Sequence, residues 1–446
     1  MEQEFFYREQ TMQTLSGGER VKAQMMRILI ENPTILLLDE PSNDIDIETL
    51  EWMESFINDW QHAVLFISHD ETLIEHTANR VIHFEQIRRK TKCRHTVANV
   101  PYRTYVEERL NAFEKQEQKA LGERREKKIR DEKLRRMEQS VGARLDNISH
   151  ADRDTIGRLL KKKMKNVKAM EKRFEREDED MTEMPEQEEA IFFRWGENLS
   201  FRSMQTGSAS LNNTESKNGG LRQGDKILSR TNGTSGRRVS GNEIPSGKWI
   251  IQREAEDLYT CDNSRLLAKD VELKIRGSEK IGIIGTNGCG KSTFITKIAA
   301  ELLARDDIRA EYMPQNYEAL LDLDMTPVDY LDTSGEKEER TRIRTYLGAL
   351  KYTADEMEHP IRELSGGQKA KVLLLKLSMS GANVLILDEP TRNFSPLSGP
   401  VIRKMLKEFP GAIISVSHDR KYLSEVCDKI YRLTPEGLQS EGRFSD

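Results

Sequence analysis

Short apolar runs ending in acids recur along the chain. Ile35–Leu38 and Val384–Leu387 each lead directly into Asp-Glu, and Lys280–Ile284 and Ala412–Val416 are of similar length. Such runs, too short for helices, predict strands of a parallel sheet buried on both faces. Lys280–Ile284 is followed by a glycine-rich turn and then by Ser292–Leu303, a pattern that predicts strand, loop and helix. Residues 103–180 follow another rule. Lys, Arg and Glu dominate there, and Phe113, Leu121, Ile129 and Leu134 leave only a thin apolar stripe. This predicts a solvated helix on the order of 50 Å long, ending near Gln139. Gly142, Asn147 and Gly157 predict a turn or tip over Ser140–Gly157. A basic helix over Arg158–Arg176, containing Lys161-Lys-Lys-Met-Lys165, then resumes. Residues 200–245 are rich in Ser, Asn, Gly and Thr without periodicity and read as a disordered linker or insertion.

Composition narrows the function classes. The chain has 446 residues, 33% of them charged and 36% hydrophobic, with a mean hydropathy of −0.69. No run approaches the roughly 18 apolar residues that span a bilayer, and the acidic stretch Met1–Gln10 has no apolar core typical of a signal peptide. Cys93, Cys261, Cys289 and Cys427 are scattered without a CxxC pair. They read as free thiols in a reducing cytoplasm, with neither zinc site nor disulfide framework. The net charge is −5, yet residues 103–176 hold 23 Lys/Arg against 14 Asp/Glu, a local excess of +9. The positive charge is concentrated in the predicted hairpin.

Three motifs occur twice. Leu15-Ser-Gly-Gly-Glu-Arg20 returns as Leu364-Ser-Gly-Gly-Gln-Lys369, Ile35-Leu-Leu-Leu-Asp-Glu-Pro41 as Val384-Leu-Ile-Leu-Asp-Glu-Pro390, and Ser68-His-Asp70 as Ser417-His-Asp419. All three recur at an offset of 349, which marks a duplicated domain. The second copy adds Gly285-Thr-Asn-Gly-Cys-Gly-Lys291-Ser292, a GxxxxGK[ST] phosphate loop between a strand and a helix, the context that motif requires. Shifting Lys291 back by the same offset passes Met1. The expectation is therefore a first copy lacking on the order of 100 residues, its phosphate loop among them.

The second copy carries a coherent chemistry. Gly285, Asn287, Gly288, Cys289 and Gly290 let backbone N–H groups approach anionic oxygens, and the helix behind them adds its positive end. Lys291 is expected to reach the β- and γ-phosphates, with Ser292 and Thr293 following it in the first turn and the Ser292 hydroxyl holding Mg²⁺. Asp388, at a strand end, can support the metal, and Glu389 can polarise an attacking water. His418 can contact the γ-phosphate. Gln315 is a further candidate for Mg²⁺ and water.

Phosphate loop, LSGGQ signature, Asp-Glu pair and switch histidine, in this order, resemble the ABC ATPases, over nearly all of the chain except about 200–245. In that family two domains face head to tail. The resemblance implies an ATP site made by the second copy's motifs and closed by Ser16, Gly17 and Gly18 of the first, although Leu15–Gly18 alone would also serve as a helix N-cap. It also implies an aromatic stacking on adenine upstream of the phosphate loop, for which Tyr259 is the nearest candidate. After the Asp-Glu pair the family carries an NHLD-like segment. Ser42-Asn-Asp-Ile-Asp46 is close to it, whereas Thr391-Arg-Asn-Phe-Ser395 places serine at the usual aspartate.

A charged hairpin between two ABC domains, rather than inside one, is similar to the ABC-F linker. That implies a cytoplasmic ATPase acting on the ribosome, in translation or in antibiotic protection, with the tip at 141–156 near rRNA and tRNA. The alternatives are the ATPase subunit of a transporter and an inactive truncated fragment. The fold class expected is α/β, with one partial and one complete P-loop ABC ATPase domain joined by the helical hairpin. The domains expected are 1–95, the partial first ABC domain; 96–184, the linker; 185–247, acidic then low-complexity; and 248–446, the complete second domain.

Overall fold

The computed structural model describes residues 17–43, 45–87, 92–146, 153–179, 181–182, 244–260 and 264–444. Two compact units emerge: Met1–Leu73 with Ala190–Asp446, and Ile74–Glu189. The boundary between them falls near Leu73, inside the span 1–95 expected for the first copy. The low-complexity stretch 200–245 and the acidic residues before it lie almost wholly outside the described residues.

The first unit begins with α1 (Gly17–Glu31), β1 (Ile35–Asp39), α2 (Ile47–Asp59) and β2 (Ala63–Ile67), with α3 (Glu71–Thr77) at its boundary. β1 and β2 pair in parallel from Ile35↔Ala63 to Asp39↔Ile67. Met25, Leu36, Leu38, Leu50, Met53, Phe56 and Leu73 form one small core. The expectation of strands buried on both faces fails here. Ile35 and Leu37 are 62% and 70% exposed, as are Leu65 and Ile67 in large part. Strand side chains alternate with period two, and α1 and α2 supply core residues to one face only. Asp46 caps α2 by accepting a hydrogen bond from the Thr49 N–H (2.9 Å).

In the second unit, β3 (Val81–Ile87) and β4 (Lys92–Ala98) form an antiparallel pair. The helix α4 (Tyr102–Asp146) follows, then α5 (Arg153–Glu179). Arg109 donates to Glu85 (2.6 Å) and the Tyr105 hydroxyl meets His83 Nδ1 (2.9 Å), fixing the first turns of α4 against β3. The two long helices run antiparallel. Asp178 takes Lys127 and Arg130, the Arg130 guanidinium lies 5.2 Å from the Phe174 ring centre, and Glu123 accepts from the Thr182 N–H (2.6 Å). Two boundaries differ from the sequence reading. α4 runs 45 residues, about 68 Å at 1.5 Å per residue, and continues through Gly142. α5 begins at Arg153 and includes Gly157. The expected tip at 141–156 is therefore helical at both ends, and its centre, 147–152, lies outside the described residues. A single interior glycine costs a helix only about 1 kcal/mol, too little to end one of this length.

The rest of the first unit opens with β5 (Trp249–Tyr259) and β6 (Leu266–Arg276), an antiparallel pair. β7 (Lys280–Ile284), α6 (Lys291–Leu303) and β8 (Ala310–Met313) follow, then the short helices α7 (Pro327–Leu331), α8 (Lys337–Ala349) and α9 (Ala354–Glu358). The last elements are α10 (Gly366–Met379), β9 (Val384–Asp388), α11 (Gly399–Lys407), β10 (Ala412–Val416), α12 (Arg420–Val426), β11 (Lys429–Thr434) and β12 (Gly437–Gly442). Six strands form one sheet in the order β12-β11-β7-β10-β9-β8, parallel except for β12. Here both faces are covered. β9 and β10 are buried at every position, with one apolar cluster around Leu385, Leu387 and Ile413 and another around Ile283, Ile386 and Ile414. Helices follow parallel strands on both sides, so the loops carrying chemistry gather beyond the strands' C-terminal ends. Among the described residues no helix is long and apolar enough to cross a membrane.

Candidate functional site

The phosphate loop joins β7 to α6. Its glycines are required at two points. Gly285 has φ +154°, and a Cβ there would lie 2.7 Å from the Leu433 carbonyl. Gly290 has φ +104°, and its Cβ would meet Leu267 at 2.8 Å. Any other residue would strain or open the turn. Lys291 folds back along the loop, its Nζ donating to the carbonyls of Gly285 (2.8 Å) and Thr286 (3.0 Å). Burial holds its pKa below the usual lysine range.

β9 delivers Asp388 to the same place. It is 3% exposed, and burial raises its pKa against a hydrogen bond from Ser292. Glu389 follows with φ +55°, left-handed for a non-glycine residue, its N–H bonded to the Val416 carbonyl (2.9 Å). That turn aims its carboxyl at β10's end, where Oε2 accepts from the His418 N–H (3.3 Å) and Oε1 lies 3.7 Å from His418 Nε2. Burial, reinforced by Asp388, pushes the Glu389 pKa up to about 8. Burial, reinforced by Lys291, pulls His418 down to about 4. At neutral pH the pair is thus a protonated acid beside a neutral imidazole, whose buried Nδ1 has no hydrogen-bond partner among the described residues.

The first copy repeats this turn. Glu40 has φ +45°, and its carboxylate accepts from the His69 N–H (3.1 Å) with His69 Nε2 at 3.3 Å. This segment also forms the opposite side of the site. Asp46 Oδ2 accepts from the Asn287 N–H (3.1 Å), inside the phosphate loop. Burial opposes the Asp46 charge, but the Thr49 and Asn287 bonds outweigh it and hold the carboxyl below its ordinary pKa. Ion pairs fasten the two copies beyond the cleft. Arg420 binds Glu54, and Glu71 takes both Arg403 Nη1 (2.9 Å) and Lys421 (2.9 Å).

Between these walls lies a cleft of about 490 Å³. Asn287, Gly288, Gly290, Lys291, Ser292, Thr293, Gln315, Asp388, Glu389 and His418 line it, bringing most of the residues singled out in the sequence together. Gly285 and Cys289 shape the loop without lining the cleft; the Cys289 thiol is raised in pKa by burial. Ser16 lies outside the described residues. Gly17 and Gly18 open α1, and Ser42, Asn43, Ile45, Leu50, His69 and Asp70 line the cleft on the first-copy side. The loops after β1 and β2 thus supply residues to that wall. Tyr259 is not among the lining residues, and its carbonyl accepts a hydrogen bond from Lys297 (3.0 Å). Asp46, and Arg392, which also lines the cleft, were not identified as site residues from the sequence. The 349-residue offset, which aligns Asp46 with Ser395, was the available signal for Asp46.

The oxygen donors suit a hard divalent cation. Ser292 and Asp388 are already hydrogen-bonded to one another at the mouth of the phosphate loop, with Gln315 on the same cleft.

The ABC transporter domain family matches residues 2–43 and 268–392. Among curated proteins the chain is similar to ABC transporter F family member 5 of Arabidopsis thaliana, 25% identical over 94% of this chain and 51% of that protein. It is also similar to the putative ATP-binding protein YdiF of Bacillus subtilis, 26% identical over 96% of this chain and 56% of that one. ATP-binding protein Uup of Escherichia coli is 26% identical over 97% of this chain and 58% of its own length. The chain therefore spans little more than half the length of these relatives. With its motif order and the geometry of its phosphate loop, Asp-Glu turn and switch histidine, the chain is similar over nearly its whole length to ABC-F proteins and carries the ATP-binding-cassette motifs.

Proposed function

We propose that the protein binds ATP with Mg²⁺ in this cleft, hydrolyses it to ADP and phosphate, and uses the cycle to act on the ribosome. One observation carries the ATPase reading: the loop ends of β7, β9 and β10 set Lys291, Asp388, Glu389 and His418 around one opening. Lys291 binds the β- and γ-phosphates in place of the two loop carbonyls it now contacts. Mg²⁺, held by Ser292, Gln315 and Asp388, would neutralise charge on the phosphate oxygens. Glu389 positions the attacking water, and His418, tied to it through its own N–H, senses the γ-phosphate. Asp46 links the first copy to the loop, so that closure of the site and seating of the two copies are one event.

The ribosomal part rests on the family and on charge. The +9 excess over 103–176 lies on α4, α5 and the residues joining them, and clustered Lys and Arg attract RNA phosphates whatever the sequence. Translation and antibiotic protection are the two settings this reading allows. The test is sedimentation of the Glu389→Gln chain with ribosomes in ATP and in ADP, beside phosphate release by the unsubstituted chain. ATP-dependent pelleting, with hydrolysis lost in the variant, is expected. ATP binding without pelleting would refute the ribosome as target, and binding without turnover by the unsubstituted chain would refute the hydrolytic assignment.

A further inference from the structure

Two of the ion pairs that join the copies are one contact made twice. Arg403 lies 349 residues after Glu54, and Arg420 lies 349 after Glu71, the offset that relates the two copies. Their helices correspond in the same way. α12 begins and ends 349 residues after α3, and α11 falls within the span equivalent to α2. Glu54 meets Arg420, and Glu71 meets Arg403 Nη1 (2.9 Å). The position of Glu54 in either copy thus touches the position of Glu71 in the other. Reciprocal contacts of this kind mark an approximate two-fold interface. Asp70 and Asp419, also 349 apart, stand near its axis, close enough that Asp419 adds to the burial raising the Asp70 pKa to about 6.

The fold repeats across this axis, but the charge is inverted. The first copy has Glu at both positions and the second has Arg at both. All four side chains are at most 12% exposed. Neighbouring contacts keep the same polarity, acid on the first copy and base on the second: Glu48 meets Arg432 (3.4 Å), and Glu71 also takes Lys421 (2.9 Å). Two first copies meeting on the same two-fold would set Glu54 against Glu71 twice. Two second copies would set Arg403 against Arg420 twice. Buried like charges in contact disfavour such a pairing by on the order of a hundredfold or more.

We infer that Glu54, Glu71, Arg403 and Arg420 form a charge code for pairing: this surface accepts the opposite copy and rejects its own kind. Specificity then comes from the repulsion built into the wrong pairings as much as from the attraction in the right one. The code concerns how the copies recognise each other and holds whether or not the cleft binds ATP.

Three full-length variants test it. Glu54→Arg with Glu71→Arg makes all four positions basic; Arg403→Glu with Arg420→Glu makes all four acidic; the four substitutions together invert the code. Inversion asks for no new geometry, since each pair, carried across the two-fold, already shows the opposite polarity. The all-basic and all-acidic chains are each expected to lose on the order of a hundredfold in the ratio of seated to unseated first copy, read from Trp52 and Trp60 fluorescence in denaturant titrations. The inverted chain recovers most of that loss; Lys421 and Glu425, which favour the present polarity at Glu71 and Arg403, keep recovery short of complete. In sedimentation the all-basic and all-acidic chains each run as single chains, and their mixture forms a one-to-one complex, held by two interfaces at once. The code is overturned by a like-charged chain seated as firmly as the parent, by an inverted chain no better seated than the like-charged ones, by a like-charged chain that self-associates as readily as the mixture, or by a mixture no heavier than its components. A pair that merely stabilised the fold would not produce the mixed complex.

Discussion

The seating of the first copy on the second has a measurable keystone in Glu54 and Arg420. Their side chains are only 11% and 8% exposed, they come from elements 366 residues apart, and they bind directly. Removing one member of a buried ion pair leaves the other charge desolvated, at a cost of about 3–5 kcal/mol, whereas replacing both by apolar groups of similar volume is near neutral. Arg420 Nε has no partner among the described residues, so it has little to fall back on, although Asp70 and Glu51 also act on its charge and favour the lower end of that range. Glu54→Ala and Arg420→Met should each destabilise the first unit by about 3 kcal/mol, lowering its melting temperature by on the order of 10 °C. Glu54→Leu combined with Arg420→Met should recover most of that. Trp52 and Trp60 stand on and just after α2, so their fluorescence during denaturant unfolding reports this seat. Single substitutions within about 0.5 kcal/mol of the parent, adding without coupling in the double variant, would show that the pair does not join the copies.

Two further outcomes follow from local geometry. The Glu389 pKa, raised to about 8, makes the folded chain hold a proton that the unfolded chain releases near its ordinary value. Its contribution to stability should therefore fall as pH rises from about 5 to 8, opposed below about 6.5 by His418, whose lowered pKa has the reverse sign, and Glu389→Gln should remove most of the fall between about pH 6.5 and 8. The gap is up to a few kcal/mol, since the 13% of the side chain left open lets solvent take part of it back; denaturant titrations at pH 5 and 8.5 showing the same gap would contradict this. Gly411→Ala should cost about 3 kcal/mol, at the upper end for overpacking, or block folding, because its Cβ would lie 2.0 Å from the Asn383 carbonyl that opens the β9–β10 pairing; an unshifted melting curve would refute it.

What could be read in advance was what depends on neighbours in sequence. The phosphate loop, its flanking strand and helix, and the runs at 384–387 and 412–416 were legible because chain geometry and burial on both faces are written locally. Ile35–Leu38 carries the same local signal as Val384–Leu387 but a different outcome, since coverage of its second face depends on what packs there. Gly142 suggested a break that its helix absorbs. Glu54 and Arg420, each ordinary on a charged surface, become a buried pair only when the copies meet.

The left-handed turn at Glu40 and at Glu389 has a consequence for how this chain can be altered. Glycine would sit there without strain, and relieving a non-glycine residue from that conformation is worth about 1 kcal/mol. A search for sturdier variants that scores folding alone would therefore tend to select glycine at both positions. It would thereby delete the two carboxyls that each touch a switch histidine. The turn is a place where endurance and work compete for one residue, and a selection scheme for this protein has to measure both.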